Sequence, residues 1–269
     1  MLALSTLASL ALFHLAFAQD PSLEIKAIEA HFTQSALVPD LFASFDPSAL
    51  LSLNYPGVGD VTPGQLLTKE QVGPTPTVTV TPANSSVSLN GTYTLAMVDA
   101  DIVGAKLAEG QTRHWLVNGV AINGSTVTNS SATAITTYAG PWPAAGSGPH
   151  RYVVALYAQP STFSPPAAFS QSNIGVSAFN FNDYVKSSGL GPLVAATYIT
   201  VKEGTTAVSI SSTSAVVTST LVPSSSSSSH QAAGTSTGNQ SNVPSGAMKT
   251  GASIISIISA GAVLAAIAL

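Results

Sequence analysis

The chain has 269 residues, a formal net charge of −4 and only 7% charged residues. That balance lacks the basic patch that nucleic-acid binding requires, so nucleic acid is excluded as a partner. Cysteine is absent, which excludes a disulfide framework, a thiolate zinc site and a cysteine nucleophile. Without its two biased ends the chain keeps one domain of roughly 180 residues, long enough for a single core.

Residues 1–18 form an apolar run that ends in Ala16-Phe17-Ala18 and is followed by polar residues. An A-x-A ending of this kind is typical of a cleaved signal peptide. A transmembrane anchor is the alternative, but the run is short for one. We therefore expect a secreted protein whose folded domain spans residues 19–203.

That domain is predicted to be mainly β. Apolar residues at helical spacing predict a short helix over Leu23–Leu37, which ends ahead of Pro39. Beyond it, Gly, Pro and Asn separate short apolar runs, a pattern typical of strands. The predicted strands are Leu51–Tyr55, Thr75–Thr81, Tyr93–Val98, His114–Ile122, Arg151–Ala158 and Ala196–Lys202, with a late helix at Phe179–Ser187. Many short strands and few helices indicate an antiparallel β-sandwich.

Strand alternation predicts which side chains share a face. His150 and Tyr152 should lie on one face, and His114 and Trp115 should lie on opposite faces. Asp99 follows a strand, where a chain end can direct side chains into a cleft, and Asp101 is predicted to stabilise the turn there.

The domain has only two arginines, Arg113 and Arg151, and each is adjacent to a histidine. We expect both to point away from the site face and to pair with acids. The third histidine of the domain, His31, lies on the predicted helix, where a solvated or packed role is expected.

Three motifs follow one another along the domain: Tyr93–Asp101, Arg113–Asn118 and Tyr138–Tyr152. Together they resemble the phosphatidylethanolamine-binding protein family, as a secreted, fungal-type member. Tyr93–Asp101 is similar to its strand and D-P-D turn, and Arg113–Asn118 to its histidine strand. Tyr138–Tyr152, reading Y-A-G-P-W-P-A-A-G-S-G-P-H-R-Y, resembles its G-x-P-P-x-G-x-G-x-H-R-Y signature. The resemblance runs from about residue 37 to residue 201.

The resemblance implies a large antiparallel sheet packed on a smaller one, with peripheral helices and one pocket for phosphate-like or carboxylate groups. The implied lining is Asp99, His114, Tyr138, Gly140, His150 and Tyr152. Imidazoles and a phenol can donate hydrogen bonds to an oxyanion, and binding should strengthen as the pH falls through about 6.5. Asp99 is expected to orient one imidazole and favour its charged form.

The chain departs from the family at the edge of this pocket. The turn that usually reads D-P-D-A-P-S-R is Asp99-Ala-Asp-Ile-Val-Gly-Ala105 here, without its proline, serine and arginine. Trp142 replaces a smaller residue and is expected to narrow the mouth. Both changes bear on ligand affinity and partner recognition.

No enzyme signature accompanies the histidines. The sequence has neither an H-E-x-x-H zinc motif nor a G-x-S-x-G elbow, so we predict a non-catalytic protein without a cofactor or metal. We expect it to bind a small anion or a phospholipid headgroup. The alternatives are inhibition of a secreted serine carboxypeptidase or other peptidase, and a glycosylated structural role with a degenerate pocket.

The C-terminal part predicts attachment to the cell surface. Residues 204–246, rich in Ser and Thr, are predicted to form a disordered, O-glycosylated stalk. Residues 247–269 end in an apolar tail and are predicted to be a GPI-anchor signal. Together with the small residues around Ser245, this tail predicts attachment of the anchor at Ser245. Ser241 and Asn242 are alternative attachment sites. A retained tail helix is the other interpretation. Glycosylation sequons occur at Asn84, Asn90, Asn123, Asn129 and Asn239.

Overall fold

The computed structural model describes residues 21–130 and 132–221. The predicted signal peptide, residues 222–246 of the predicted stalk and the predicted anchor signal, with Asn239 and Ser245, lie outside the described residues. Within the described ranges, no helix is both long enough and apolar enough to cross a bilayer.

The described residues form three α-helices, a single 3-10 turn at Ala167–Phe169, and eleven strands. The helices are α1 (Pro21–Gln34), α2 (Leu37–Asp40) and α3 (Phe181–Ser187). The strands are β1 (Ala49–Tyr55), β2 (Gly59–Asp60), β3 (Leu66–Leu67), β4 (Thr77–Pro82), β5 (Thr92–Asp99), β6 (Gln111–Asn123), β7 (Thr126–Thr128), β8 (Thr133–Thr136), β9 (His150–Ala158), β10 (Ser177–Phe179) and β11 (Leu193–Val201).

The strands form one curled sheet in the order β2-β1-β4-β7-β6-β5-β9-β11-β3, and β8 and β10 also pair with β6. The pairings are antiparallel except for that of β3 with β11. The mainly β class and the antiparallel architecture are therefore confirmed. The smaller layer, β1 with β4, is joined to the larger one through β7.

The curl encloses an inner core. Apolar side chains of β1 and β4 share one buried cluster with those of β5, β6, β9 and β11, and the Ser48 N–H donates to the Val194 carbonyl across the closure. The inner core is built around Leu51, Leu53, Val78, Val80, Leu95, Val117, Val154 and Ile199. Alternate residues of the same strands point the other way, as strand geometry requires.

The opposite face of the larger layer is covered by helices, which form an outer core. Ile28 and Phe32, four residues apart on α1, are both buried there. Phe181 and Tyr184 of α3 complete the cover, and the Asn180 side chain caps this helix by accepting from the Asp183 N–H at 3.0 Å. Each fully buried side chain of this size contributes roughly 1.5–3 kcal/mol to folding.

The six predicted strands and both predicted helices are present. The predicted first helix is shifted by two to three residues, since α1 spans Pro21–Gln34 rather than Leu23–Leu37. Five strands were not predicted, namely β2, β3, β7, β8 and β10. They have two to four residues each, too few for a repeating pattern of apolar and polar positions to be visible in the sequence.

Candidate functional site

A β-bulge on β6 brings His114 into the site. Met97 pairs with Trp115 and Val98 pairs with Arg113, so His114 is the extra residue on its strand. Trp115 lies in the inner core, whereas the Arg113 guanidinium lies over two phenylalanine rings of the outer layer. The prediction that His114 and Trp115 lie on opposite faces is wrong, because the bulge lets His114 contact Tyr152, which belongs to the same inner cluster as Trp115.

The other expectation for this segment, an acidic partner for Arg113, is also wrong. Arg113 is 1% exposed, and no ion pair among the described residues includes it. Its guanidinium lies 5.3 Å from the ring centre of Phe169 and 5.1 Å from that of Phe179. It also donates to the Gly175 carbonyl and the Ser177 hydroxyl, each at 3.0 Å. Two aromatic faces and neutral acceptors thus take the place of a carboxylate.

Tyr152 joins the two histidines of the site. Its ring centre lies 5.2 Å from that of His114, edge to face, and 6.3 Å from that of His150, nearly parallel. All three side chains are buried. Burial, then the charge and hydrogen bond of Asp99, raise the pKa of Tyr152, which keeps the phenol neutral. We call Asp99, His114, His150 and Tyr152 the histidine site.

Both ring nitrogens of His150 donate hydrogen bonds. Nδ1 lies 2.9 Å from Asp99 Oδ2, and an ionised carboxylate can only accept. Nε2 lies 2.9 Å from the Ser147 hydroxyl, whose one hydrogen is given to the Ala144 carbonyl at 2.7 Å. The hydroxyl can therefore only accept from Nε2. This arrangement suits a protonated imidazole, which donates from both of its ring nitrogens.

The electrostatic surroundings of His150 agree with this assignment. Burial by itself lowers the pKa of His150, but the hydrogen bond and charge of Asp99, with the charge of Asp101, raise it above its usual value. Asp101 Oδ1 lies 3.6 Å from His150 Nε2. Two carboxylates and one imidazolium leave the cluster with a formal charge of −1.

His114 has the opposite character. Its Nδ1 donates to the Ala139 carbonyl at 3.0 Å. Burial lowers the pKa of His114, and the opposing effects of carbonyl hydrogen bonds and of Asp99 do not restore it. A neutral imidazole that donates from Nδ1 presents a lone pair at Nε2. The site therefore combines one cationic donor with one neutral acceptor.

The altered turn after β5 is held from inside by Arg151. The guanidinium donates to the carbonyls of Ala100, Asp101 and Ile102 at 3.0–3.1 Å and pairs with Asp40 at 3.0 Å. With its acidic partner, Arg151 lies as the sequence predicts, away from the histidines. Because Arg151 donates hydrogen bonds to three successive carbonyls, it fixes the turn that carries both aspartates beside His150.

The aspartates of this turn also receive backbone hydrogen bonds. The Asp101 N–H donates to Asp99 Oδ1 at 2.7 Å, and the Ile102 N–H donates to Asp101 Oδ1 at 2.6 Å. Asp101 adopts a left-handed backbone with φ of 60°. These side chain to backbone bonds replace the rigidity that a proline would give the turn.

Tyr138 and Gly140 support the site without presenting groups to a ligand. The Tyr138 hydroxyl donates to the Val72 carbonyl at 2.6 Å, so the structure does not bring it to the histidines. A β-carbon on Gly140 would lie 2.8 Å from that same carbonyl, which is why the position needs glycine. The two residues dock the loop that carries the Ala139 carbonyl, and thereby fix His114.

Access to the histidine site is bounded by Trp142. This side chain is 59% exposed, and its ring centre lies 5.7 Å from that of His114. Asp101, with a side chain 32% exposed, borders the same region next to His150. Trp142 thus lies next to His114 at the surface, and its narrowing of a pocket mouth stays a prediction.

The chain beyond β11 also borders the site. The Gly146 N–H donates to the Glu203 carbonyl and the Ala207 N–H donates to the Gly146 carbonyl, each at 2.9 Å. A β-carbon on Gly148 would lie 2.7 Å from the side chain of Ile210. Residues 205–210, placed in the predicted stalk, therefore lie against the loop that carries Ser147.

Sequence reasoning missed Ser147 and the positioning role of Arg151. Ser147 lies between two glycines of the signature loop, where a serine is as readily explained by the turn itself. Strand alternation correctly directs Arg151 away from His150, but it does not reveal the three backbone carbonyls to which the guanidinium donates hydrogen bonds.

We expect the two histidines to titrate on opposite sides of pH 6.5, His150 above and His114 below, in imidazole NMR spectra. Asp99→Asn should move the His150 midpoint below 6.5, because burial then outweighs the remaining charge of Asp101. Since the folded pKa is raised, the contribution of His150 to stability is complete below its unfolded pKa and disappears as the pH rises through the folded one. Asp183→Asn, an exposed change on α3, is the control, and an unmoved midpoint in Asp99→Asn contradicts the assignment.

Comparison with known proteins identifies the family. The family model described as "Phosphatidylethanolamine-binding protein" matches residues 58–199, more than half of the chain. A 26 kDa secreted antigen of Toxocara canis is 35% identical over 136 residues, which cover 50% of this chain and 48% of the antigen. The chain therefore spans about half the length of that relative. CEN-like protein 1 of Nicotiana tabacum is 30% identical over 174 residues, 64% of this chain and 91% of the relative.

Solved structures agree on the fold. A carboxypeptidase Y inhibitor, crystallised with its cognate proteinase, superposes with a TM-score of 0.58 at 22% identity, over 69% of this chain and 98% of the inhibitor. A phosphatidylethanolamine-binding protein from Plasmodium vivax superposes with a TM-score of 0.50 at 15% identity, over 68% of this chain and 98% of that one. The match to the family model, together with these likenesses of fold, leads to one conclusion: this chain belongs to the phosphatidylethanolamine-binding protein family.

Proposed function

We propose that the protein is an extracellular binding module that takes a phosphate-type group, as in a phospholipid headgroup, at the histidine site. The proposal rests on the two hydrogen bonds of the buried His150, to Asp99 at Nδ1 and to Ser147 at Nε2, which suit a protonated imidazole. A phosphate oxygen could replace the Ser147 hydroxyl at Nε2 and receive a charge-assisted hydrogen bond, which is stronger than the bond it displaces.

His114 favours a phosphate monoester within this ligand class, because the phosphodiester of an intact phospholipid has no proton to donate at neutral pH. A phosphate monoester carries a dissociable proton with a pKa near 6. In its protonated form the phosphate can donate its P–OH to the lone pair of His114 Nε2 while another oxygen accepts from His150. One donor and one acceptor side by side thus match a phosphate that is half-protonated near neutral pH.

The formal charge of the cluster favours a zwitterion over a bare anion. Asp101 keeps a partly exposed carboxylate beside His150, and its charge opposes a simple anion. An ammonium group a few bonds from the phosphate would instead pair with that carboxylate. Phosphoethanolamine has this arrangement of charges, so we rank it above inorganic phosphate and acetate.

The proposed location is the cell surface, through export and a lipid anchor. A relative named as a secreted antigen supports export. The sequons Asn84, Asn90, Asn123 and Asn129 are all exposed, which suits N-glycosylation in the secretory pathway. GPI attachment near Ser245, with the membrane as the resulting partner, is proposed from the sequence pattern alone.

The site resembles a serine hydrolase triad in its distances but not in its protons. Ser147, His150 and Asp99 are linked as nucleophile, base and orienting acid would be. A general base must be neutral to take the serine proton. Here Asp99 and Asp101 raise the pKa of His150, which favours its charged form, and the Ser147 hydroxyl donates to the Ala144 carbonyl at 2.7 Å instead of to the imidazole. Ser147 is therefore not activated, and we propose binding without catalysis.

A fluorophosphonate probe tests the absence of catalysis. We expect no labelling of Ser147 at neutral pH under conditions in which an authentic serine hydrolase is fully labelled, with mass spectrometry of the peptide as the readout. Stoichiometric labelling of Ser147 that disappears in His150→Ala would establish an activated serine and contradict the proposal.

Inhibition of a secreted peptidase is the second candidate. It is supported by the fold shared with the carboxypeptidase Y inhibitor, of which 98% is covered by the superposition. We rank it below anion binding because the contacts of the histidine site favour a small ligand. A glycosylated structural role remains the third proposal.

Calorimetric titration with phosphoethanolamine and phosphate tests the ligand class. We expect phosphoethanolamine to bind about two- to fivefold more tightly, a preference that Asp101→Asn removes. His150→Ala should weaken both ligands at least about tenfold, since a charged hydrogen bond is lost. Binding of both ligands should weaken as the pH rises through the raised pKa of His150, and it should gain a second donor below 6.5, when His114 is protonated.

His31→Ala is the matched control for this titration, because His31 lies on α1 against Tyr198 and outside the site. It should bind both ligands as the wild type does. Wild-type protein that binds neither ligand, or His150→Ala protein that binds as tightly as the wild type, would refute the proposed function.

A further inference from the structure

A cavity opens into the inner core, away from the histidine site. It has a volume of about 220 Å³ and is reached between β4 and β7. Its buried wall consists of Val78, Leu95, Trp115, Val117 and Val120. We call it the Trp115 pocket. None of the four residues of the histidine site lines it.

The pocket exists because two strands separate. β4 and β7 pair only at Thr79 and Thr126, where the Val80 N–H also donates to the Ser125 carbonyl at 2.8 Å. Beyond that pair β4 continues with β1 as its partner and β7 with β6. The gap left between Thr77 and Thr128 is the mouth of the pocket.

The lining is apolar inside and polar but uncharged at the mouth. Thr75, Thr77, Thr126, Thr128 and Asn129 supply hydroxyl and amide groups at the rim, and no charged side chain lines the pocket. Ligand sites commonly combine an apolar wall with a few such polar groups. A charged ligand headgroup would find no partner here, whereas a hydroxyl or an ester would.

The dimensions fit one narrow occupant. From Val127 on β7 the wall crosses β6 to Leu95 on β5, two strand spacings or about 10 Å. Along β6 the lining continues from Trp115 through Val117 to Val120, so the wall is elongated, as an extended chain requires. An apolar cavity of about 150 Å³ already binds benzene, so a pocket of this size suffices for binding.

We propose that the Trp115 pocket binds one medium-length alkyl chain with an uncharged polar end, such as a fatty alcohol or an ester. This site is separate from the phosphate-type site and does not depend on it. Trp115 forms part of its inner wall, so the occupant contacts the indole directly.

The two tryptophans of the chain allow each site to be observed alone. Trp142 borders the histidine site and Trp115 lines the pocket, so Trp142→Phe leaves Trp115 as the only indole reporter. In protein made without N-glycans, which keeps the Asn129 sequon at the rim bare, octanol brominated at its far end should quench this fluorescence. Saturating inorganic phosphate should not reduce the quenching.

Chain length gives the sharper test. From butanol to octanol, competition with the brominated probe should strengthen about fourfold for each added methylene that enters the pocket, then level off once the chain exceeds it. Octanoate and octylammonium should compete more weakly than octanol. Affinity that keeps rising to dodecanol without a plateau would indicate adsorption to the surface and overturn the proposal.

Val127→Phe, which fills the mouth, should abolish quenching, while Val185→Phe makes the same change on α3 in the outer layer and should not. If Val127→Phe does not fold, the alcohol series measured with Trp142→Phe alone still shows, by the presence or absence of a plateau, whether the alkyl chain enters the Trp115 pocket. Absence of quenching of Trp115 by the probe would overturn the proposal outright.

Discussion

A buried imidazolium needs an acceptor for each of its two N–H groups, and the histidine site is organised around meeting that need for His150. Asp99 accepts at Nδ1 and Ser147 at Nε2, each at 2.9 Å. The first bond comes from the end of β5 and the second from the loop that precedes β9. Since the two bonds come from segments far apart in the chain, the charge of one side chain connects the turn, the loop and the sheet.

The supporting structure keeps both acceptors in place. Arg151 donates hydrogen bonds to the carbonyls of the turn after β5 and forms an ion pair with Asp40 at the end of α2, so it connects the turn to that helix. On the other side the chain beyond β11 lies against the loop at Gly146. Neighbouring residues of β9 thus have complementary tasks: His150 carries the site charge, and Arg151 on the opposite face holds the groups that stabilise it.

Much of this arrangement could be predicted from the sequence. The strands with clear apolar patterns and the shared face of His150 and Tyr152 follow from periodicity, and the signature loop indicated the family. The bulge could not be predicted, because one extra residue within β6 leaves the apolar pattern almost unchanged while reversing the face of Arg113. Nor could the environment of Tyr138 be predicted, since the turn at Val72 that receives its hydroxyl is distant in sequence.

The opposite protonation of the two histidines is the central claim, because it defines a donor and an acceptor for a phosphate group. The ligand position that this donor and acceptor define is tested most directly by a crystal structure with phosphoethanolamine. We predict that a phosphate oxygen lies at His150 Nε2 in place of the Ser147 hydroxyl, that a second oxygen lies at His114 Nε2, and that the ammonium group lies beside Asp101. A ligand bound elsewhere, with the bond between Ser147 and His150 intact, would contradict it.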